Sequence, residues 1–252
     1  MKRPVLLLVI AAFVAAGCIR LGMWQLSRLR ERQALNALVR SRLAEQPTTP
    51  EELLRDSASV RFRRLAATGV YDYDRELLYG ARVHQGSPGV NFLTPLRLAG
   101  RDTVLIVNRG WVYAPDAATA DRARWRERDS VTVHGYAEPF PDVPPQREGA
   151  DPRVLYRLDR NEIARRVGAP VYPFYLVLTD SSDRAGAERI ARVQPPPLDE
   201  GSHRSYAFQW FSFAAIAIAG ASVLAFRRRR VAPGPGPRRN DHGLPAKSDH
   251  RS

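Results

Sequence analysis

One cysteine, Cys18, stands in 252 residues, so no disulfide forms within the chain and no zinc or iron–sulfur site can be built from its thiolates alone. Lysine is nearly missing as well, 2 against 37 arginines, a compositional bias from which no function follows. No nucleophile elbow is present: Ser181 and Ser182 lie in a charged turn. The carboxylates are numerous but scattered, and no pair of them suggests acid–base work. Gly80, Gly86 and Gly89 have the wrong spacing for a dinucleotide or phosphate loop and no helix follows them, so they are expected in turns. Asp72 and Asp74, beside two tyrosines, read as a solvated turn rather than a cation site. The chain is not expected to be an enzyme.

What is present is an apolar run at each end. Pro4 to Trp24 is apolar or small apart from Arg20, and a second run extends from Tyr206 to Phe226, where Arg227 to Arg230 stop it. The 21 residues of the second run cover about 31 Å as a helix, enough for the hydrocarbon core of a bilayer. The expected organisation is a transmembrane helix at 4–24, an extracytoplasmic domain at 25–205, a second transmembrane helix at 206–226 and a basic, disordered cytoplasmic tail at 227–252. Of the formal charge of +13, residues 25–205 carry only +4, from 28 basic and 24 acidic side chains, so the high pI is no nucleic-acid footprint. Lys2 and Arg3 before the first run, and the four arginines after the second, put both termini in the cytoplasm by the positive-inside rule. Arg28, Arg30 and Arg32 oppose this locally, although a long translocated domain weakens the rule. The stretch Ala15 to Cys18 has some likeness to a lipoprotein cleavage box, but membrane-like sequence continues after it and a retained helix is expected.

The domain between the runs reads as α+β with mainly antiparallel strands. Helical spacing continues over 25–46, and Thr49 caps a short helix at 50–56. Strands are predicted at Val60–Thr68, Glu76–Val83, Val90–Leu96, Thr103–Val112, Ser130–Ala137 and Val171–Thr179. The branched apolar run beginning at Thr103 should be central and buried. A short exposed helix is expected at Ala117–Arg128 and a capped one at Leu158–Val167 with Asp159 and Gly168 at its ends. Pro139–Gly149 is a proline-rich loop, and Pro195–Pro197 stiffens the approach to the second apolar run.

His203 stands at the mouth of that second run. A neutral imidazole is a usual axial ligand for haem iron, and Tyr206, Ala207 and Trp210 follow it on one helical face, an aromatic wall against which a flat porphyrin could pack. Histidine, tyrosine and tryptophan also make up the interfacial belt of ordinary membrane helices, and spacing alone favours the belt. Trp24 closes the first run and should share the membrane depth of His203. Ala215, Ala217, Ala219, Gly220 and Ala221 suggest a helix partner.

Three motifs in this order are specific when taken together: Leu21-Gly22-Met23-Trp24-Gln25-Leu26-Ser27-Arg28-Leu29, then Gly89 and Thr94-Pro95-Leu96 leading to Val107-Asn108-Arg109-Gly110-Trp111-Val112, then His203 with Tyr206-Ala207 and Gln209-Trp210-Phe211. On these the chain resembles the Surfeit locus protein 1 family of cytochrome c oxidase assembly factors. The resemblance implies a two-pass protein of a bacterial plasma (inner) membrane with its domain outside. It also implies insertion or delivery of haem a during assembly of oxidase subunit I, with the oxidase subunit and haem a synthase as partners. His203 then becomes the iron ligand, and Tyr206, Trp210 and Trp24 the residues lining the haem. A membrane-anchored scaffold for oxidase assembly with no cofactor is the alternative. Asn108 to Trp111 read as strand-to-turn geometry before partner contact, with Gly110 suited to a bulge and Trp111 to the core. Gly201-Ser202 stands before His203 where asparagine is common in the family, and Arg20 is not explained by its pattern.

Overall fold

Val104, Leu105, Ile106 and Val107 are all buried, so both faces of their strand are covered by apolar side chains. In the computed structural model, which describes residues 2–56, 60–144, 151–181 and 190–231, this strand is β4 (Val104–Tyr113) and lies at the middle of a seven-stranded sheet. The others are β1 (Arg64–Tyr71), β2 (Leu77–His84), β3 (Ser87–Leu98), β5 (Ser130–Pro139), β6 (Val154–Leu155) and β7 (Val171–Ser181), in the order β1-β5-β7-β4-β3-β2-β6. Among these strands β4–β7 and β2–β6 pair in parallel and the other pairs are antiparallel. The far end of β3 also pairs with β1, through Gly69 with Leu98, Val70 with Arg97 and Tyr71 with Leu96, which closes β1, β5, β7, β4 and β3 into a barrel.

Alternation of side chains sorts the core. Leu105 and Val107 face the barrel interior with Leu65, Leu96, Phe174 and Leu176. Val104 and Ile106 face outward onto Leu77, Leu93, Leu155 and the helix α3 (Arg160–Val167), which covers them with Ile163 and Val167. α3 runs between the caps predicted for it: the Asp159 carboxylate accepts from the Asn161 and Glu162 N–H groups, and Gly168 ends it in the left-handed region. α2 (Pro50–Arg55) opens on a capping box of Thr49 and Glu52 and plugs the interior with Leu53.

Several details depart from the sequence reading. The segment Ala117–Arg128 forms successive turns instead of a helix, because Asp116 Oδ1 accepts the N–H of Ala118 and of Thr119 and Asp121 Oδ1 accepts those of Ala123 and Arg124. β1 begins four residues later than expected, after a turn in which the Arg63 N–H donates to the Val60 carbonyl. Only Gly86 of the three grouped glycines sits in a hairpin turn, Gly80 and Gly89 being strand residues of β2 and β3. Trp111 is half-buried, its ring set between His84 and Gly89 rather than in the core. Of the expected tail at 227–252, residues 227–231 continue the last helix, and the rest, with Ser182 and residues 145–150 of the proline-rich loop, lies outside the described residues.

The chain divides into this β unit, Ala34–Asp199, and a helical unit of Met1–Gln33 with Glu200–Ser252. The helical unit is formed by α4 (His203–Val231) and the first three-quarters of α1 (Lys2–Ala44), a helix that continues past the apolar run without a break. Both are long and apolar enough to cross a bilayer. Within the β unit, the last turns of α1 bury Val39 against Phe62, Tyr136 and Val177.

Candidate functional site

The central motif folds inward as a buried ion-pair cluster. β4 carries one extra residue where Phe92 pairs with Gly110 and Leu93 with Asn108, and this bulge turns the Arg109 side chain into the domain. Gly110 is required there: its φ is +125°, and a Cβ would stand 2.5 Å from the Ala191 carbonyl oxygen. Arg109 is fully buried and donates to Thr94 Oγ1 (2.8 Å), to Glu76 (2.7 Å), to Glu127 (3.1 Å) and to the Trp125 carbonyl (2.8 Å). The Thr94 hydroxyl donates onward to Glu76, and Arg192 binds the Arg109 carbonyl at 2.5 Å and also the Glu127 carboxylate. The rings of Tyr71, Tyr73 and Phe92 surround the guanidinium at 5.7, 5.1 and 5.2 Å. Burial alone would lower the Arg109 pKa, but Glu76, Tyr73 and Glu127 reverse this and hold it above its usual value. Burial pushes the Tyr73 hydroxyl up to about 12 and Tyr71 higher still. Every side-chain nitrogen of Arg109 is engaged, which is the arrangement of a structural cluster.

The helical unit presents a different kind of polar group. Within the helical unit, Leu8, Ala11, Ala15, Cys18, Gly22, Gln25 and Leu29 of α1 and His203, Ala207, Trp210, Ala214, Ala217 and Ala221 of α4 are buried or half-buried, as are Leu26 and Arg32 and, on α4, Phe211, Ser212, Leu224 and Ala225. Among the first-named positions, from Leu8 to Leu29 and from His203 to Ala221, steps of three and four alternate, the heptad spacing of two helices lying side by side. Cys18 is a free, buried thiol in this seam. Of the five small residues from Ala215 to Ala221, Ala217 and Ala221 belong to it, whereas Ala215, Ala219 and Gly220 are exposed. Phe211 fills the space over Gly22.

His203 is the first residue of α4 and is half-buried. Its Nδ1 lies 2.9 Å from Gln25 Oε1. Glu200 accepts a hydrogen bond from Gln33 at 2.9 Å, so α1 holds the chain on both sides of the Gly201-Ser202 turn. A Cβ at Gly201 would come into ordinary contact with one edge of the ring, 3.8 Å from His203 Nε2. Among the described residues Nε2 makes no hydrogen bond, and no group of three or more His, Cys, Asp or Glu side chains could hold a metal ion. A single imidazole cannot cage a bare cation, but it suits a metal whose other positions are filled by a macrocycle.

The other predicted site residues are spread around this point. Tyr206, 49% exposed, flanks the seam one turn after His203, and Trp210 lies in the seam with its ring edge-on to Phe213 at 6.0 Å. Trp24, also 49% exposed, sits outside the seam beside Gln25, with Arg28 over its ring at 5.8 Å. Arg28 is neutralised by Glu31 at 2.7 Å, and Arg20 is exposed on the outer face of α1. Gln25 belongs to the first motif, which assigns it no role. Its one sequence signal was a neutral polar residue where the apolar run ends.

The sequence pattern of the SURF1 family matches residues 12–215, a span that holds all three motifs and both Gln25 and His203. An uncharacterised SURF1-like protein of Mycobacterium tuberculosis is 30% identical over 247 residues, covering 92% of this chain and 88% of the relative. A SURF1-like protein of Monosiga brevicollis is 28% identical over 241 residues, 83% of each chain, and one of Drosophila melanogaster 26% identical over 214, covering 77% and 69%. With two long apolar helices flanking a mixed barrel and the motif residues at the positions described, the chain belongs to the SURF1 family.

Proposed function

We propose that this protein is a non-enzymatic membrane assembly factor for haem–copper cytochrome oxidase, binding or delivering haem a during maturation of subunit I. The observation that carries the reading is the lone imidazole of His203, tied at Nδ1 by Gln25 and open at Nε2, where the apolar seam ends. His203 would ligate the iron, while Tyr206, Trp210 and Trp24 offer aromatic surface to the macrocycle. Bound haem supplies its own redox and ligand chemistry. The chain supplies the rest: a neutral nitrogen donor, a fixed ring orientation, and two apolar helices that keep the site at the bilayer. In this reading both termini are cytoplasmic, and the barrel lies outside, where it meets oxidase subunit I and haem a synthase.

The test is the visible spectrum of the detergent-purified protein co-produced with the haem a synthesis enzymes, beside His203→Ala. A haem a spectrum lost in the variant supports the reading. Equal spectra remove His203 as the ligand, and no haem in either preparation with synthesis confirmed leaves the cofactor-free scaffold.

A further inference from the structure

Neutral imidazole carries one proton, and the nitrogen that holds it is closed to a metal. In His203 the choice between the two nitrogens is decided by what stands at Nδ1. The group within hydrogen-bond distance is the Gln25 side-chain oxygen, 2.9 Å away and 178 residues distant in sequence. With the amide oxygen facing the ring, the ring donates, which puts the proton on Nδ1 and the lone pair on Nε2. Gly201 lies beside the edge bearing Nε2, where an added Cβ would come within 3.8 Å of that nitrogen.

We infer that Gln25 is a positioning residue that holds His203 in its Nδ1-protonated tautomer and presents Nε2 as the donor to iron. This rests on the proposed role of His203 as haem ligand. Three features of the site support it. Gln25 lies in the seam between Gly22 and Leu29, so its amide is aimed at α4 by the same heptad spacing that pairs the helices. The Gln33–Glu200 bond fixes the chain just before His203, and the Tyr206 N–H donates to the Ser202 carbonyl at 3.0 Å, so the first turn of α4 is held from both sides. A neutral amide also fixes the proton without adding a charge beside the apolar helices, which a carboxylate in this place would do.

The tautomer is measured without haem, by nitrogen-15 chemical shifts of histidine-labelled full-length protein in detergent, at a pH where the imidazole is neutral, with His203→Ala identifying the resonances. The parent should show a pyrrole-type Nδ1 and a pyridine-type Nε2. Gln25→Leu, close in volume and suited to the seam, should move His203 toward the Nε2-protonated form, and Gln25→Glu, which keeps an acceptor, should preserve the parent pattern. An Nε2-protonated parent, or an unchanged pattern in Gln25→Leu, overturns the inference. Haem a titrated into the same proteins separates the two proposals: about 10- to 100-fold weaker binding by Gln25→Leu is expected, the usual effect of losing a partner that orients a metal ligand. Equal binding by parent and Gln25→Leu, with binding lost in His203→Ala, overturns the role of Gln25 and keeps the ligand. Binding retained in His203→Ala overturns the ligand reading itself.

Discussion

Arg109 in the β unit and His203 in the helical unit are polar side chains treated in opposite ways. Arg109 is fully buried in the β unit and finds acceptors for every nitrogen, in Glu76, Thr94, Glu127 and the Trp125 carbonyl. His203, in the helical unit, is half-buried and engaged at one nitrogen only. A saturated group has no valence left for a ligand and serves the fold, whereas one nitrogen held and one left open is how a protein prepares a donor. The motif richest in conspicuous residues, Asn108 to Trp111, is therefore the structural one, and the plainer His203 with its glutamine is the candidate for chemistry.

The largest effect should come from breaking the saturated side. Arg109→Leu leaves the buried Glu76 without its counter-charge and Glu127 with Arg192 alone, and should cost about 3–5 kcal/mol, read as a lower urea midpoint for the β unit in the detergent-solubilised full chain. Combining Arg109→Met with Glu76→Leu should recover most of that loss, and a double variant as unstable as the single would show that the cluster is held by something besides charge. Gly110→Ala comes next, at about 1–3 kcal/mol for the backbone strain alone, since it forces a side chain into a positive-φ site against the Ala191 carbonyl. His203→Ala should change the unfolding free energy of the full chain by less than about 0.5 kcal/mol while changing haem binding, and a large stability loss would place His203 on the structural side of the comparison.

The smallest effect is set by pH. Hydrogen bonds from the Thr119 hydroxyl and from the Thr119 and Ala118 N–H groups hold the Asp116 carboxyl down to about 2. A lowered carboxyl pKa stabilises the fold above the ordinary aspartate range, near ~4, and that contribution fades as pH falls toward the folded value. The unfolding midpoints of the parent and Asp116→Ala should therefore converge as the pH is lowered across this window, and parallel curves would show that the charge on Asp116 does not matter.

Local chemistry was the legible part of this chain. The Val104–Val107 run announced a covered strand, and Thr49, Asp159 and Gly168 marked helix ends from their own side chains and backbone. The segment at 117–128 misled because its composition is helical while Asp116 and Asp121, just before and within it, take the amide protons a helix would need. The rest depends on partners far away in sequence. Arg109 meets Glu76 across 33 residues and Gln25 meets His203 across 178, and neither pairing leaves a periodic trace. The helix seam was hidden for another reason: when an entire segment is apolar, burial of Ala15, Cys18 and Gly22 is not distinguished by hydrophobicity, and only the spacing of small residues hints at it.

The three residue pairs that join β3 to β1 decide how this domain behaves among its neighbours. An open sheet offers two unpaired rims that can recruit strands from other molecules, and pairing β1 with β3 covers the β1 rim, leaving the short β6 at the other end. The join is narrow, and Gly69 makes it possible, since a Cβ there would stand 2.4 Å from the Arg97 carbonyl oxygen. A larger residue at 69 would therefore do more than weaken one contact: it would unzip β1 from β3 and turn a self-contained domain into one that sticks to its own copies.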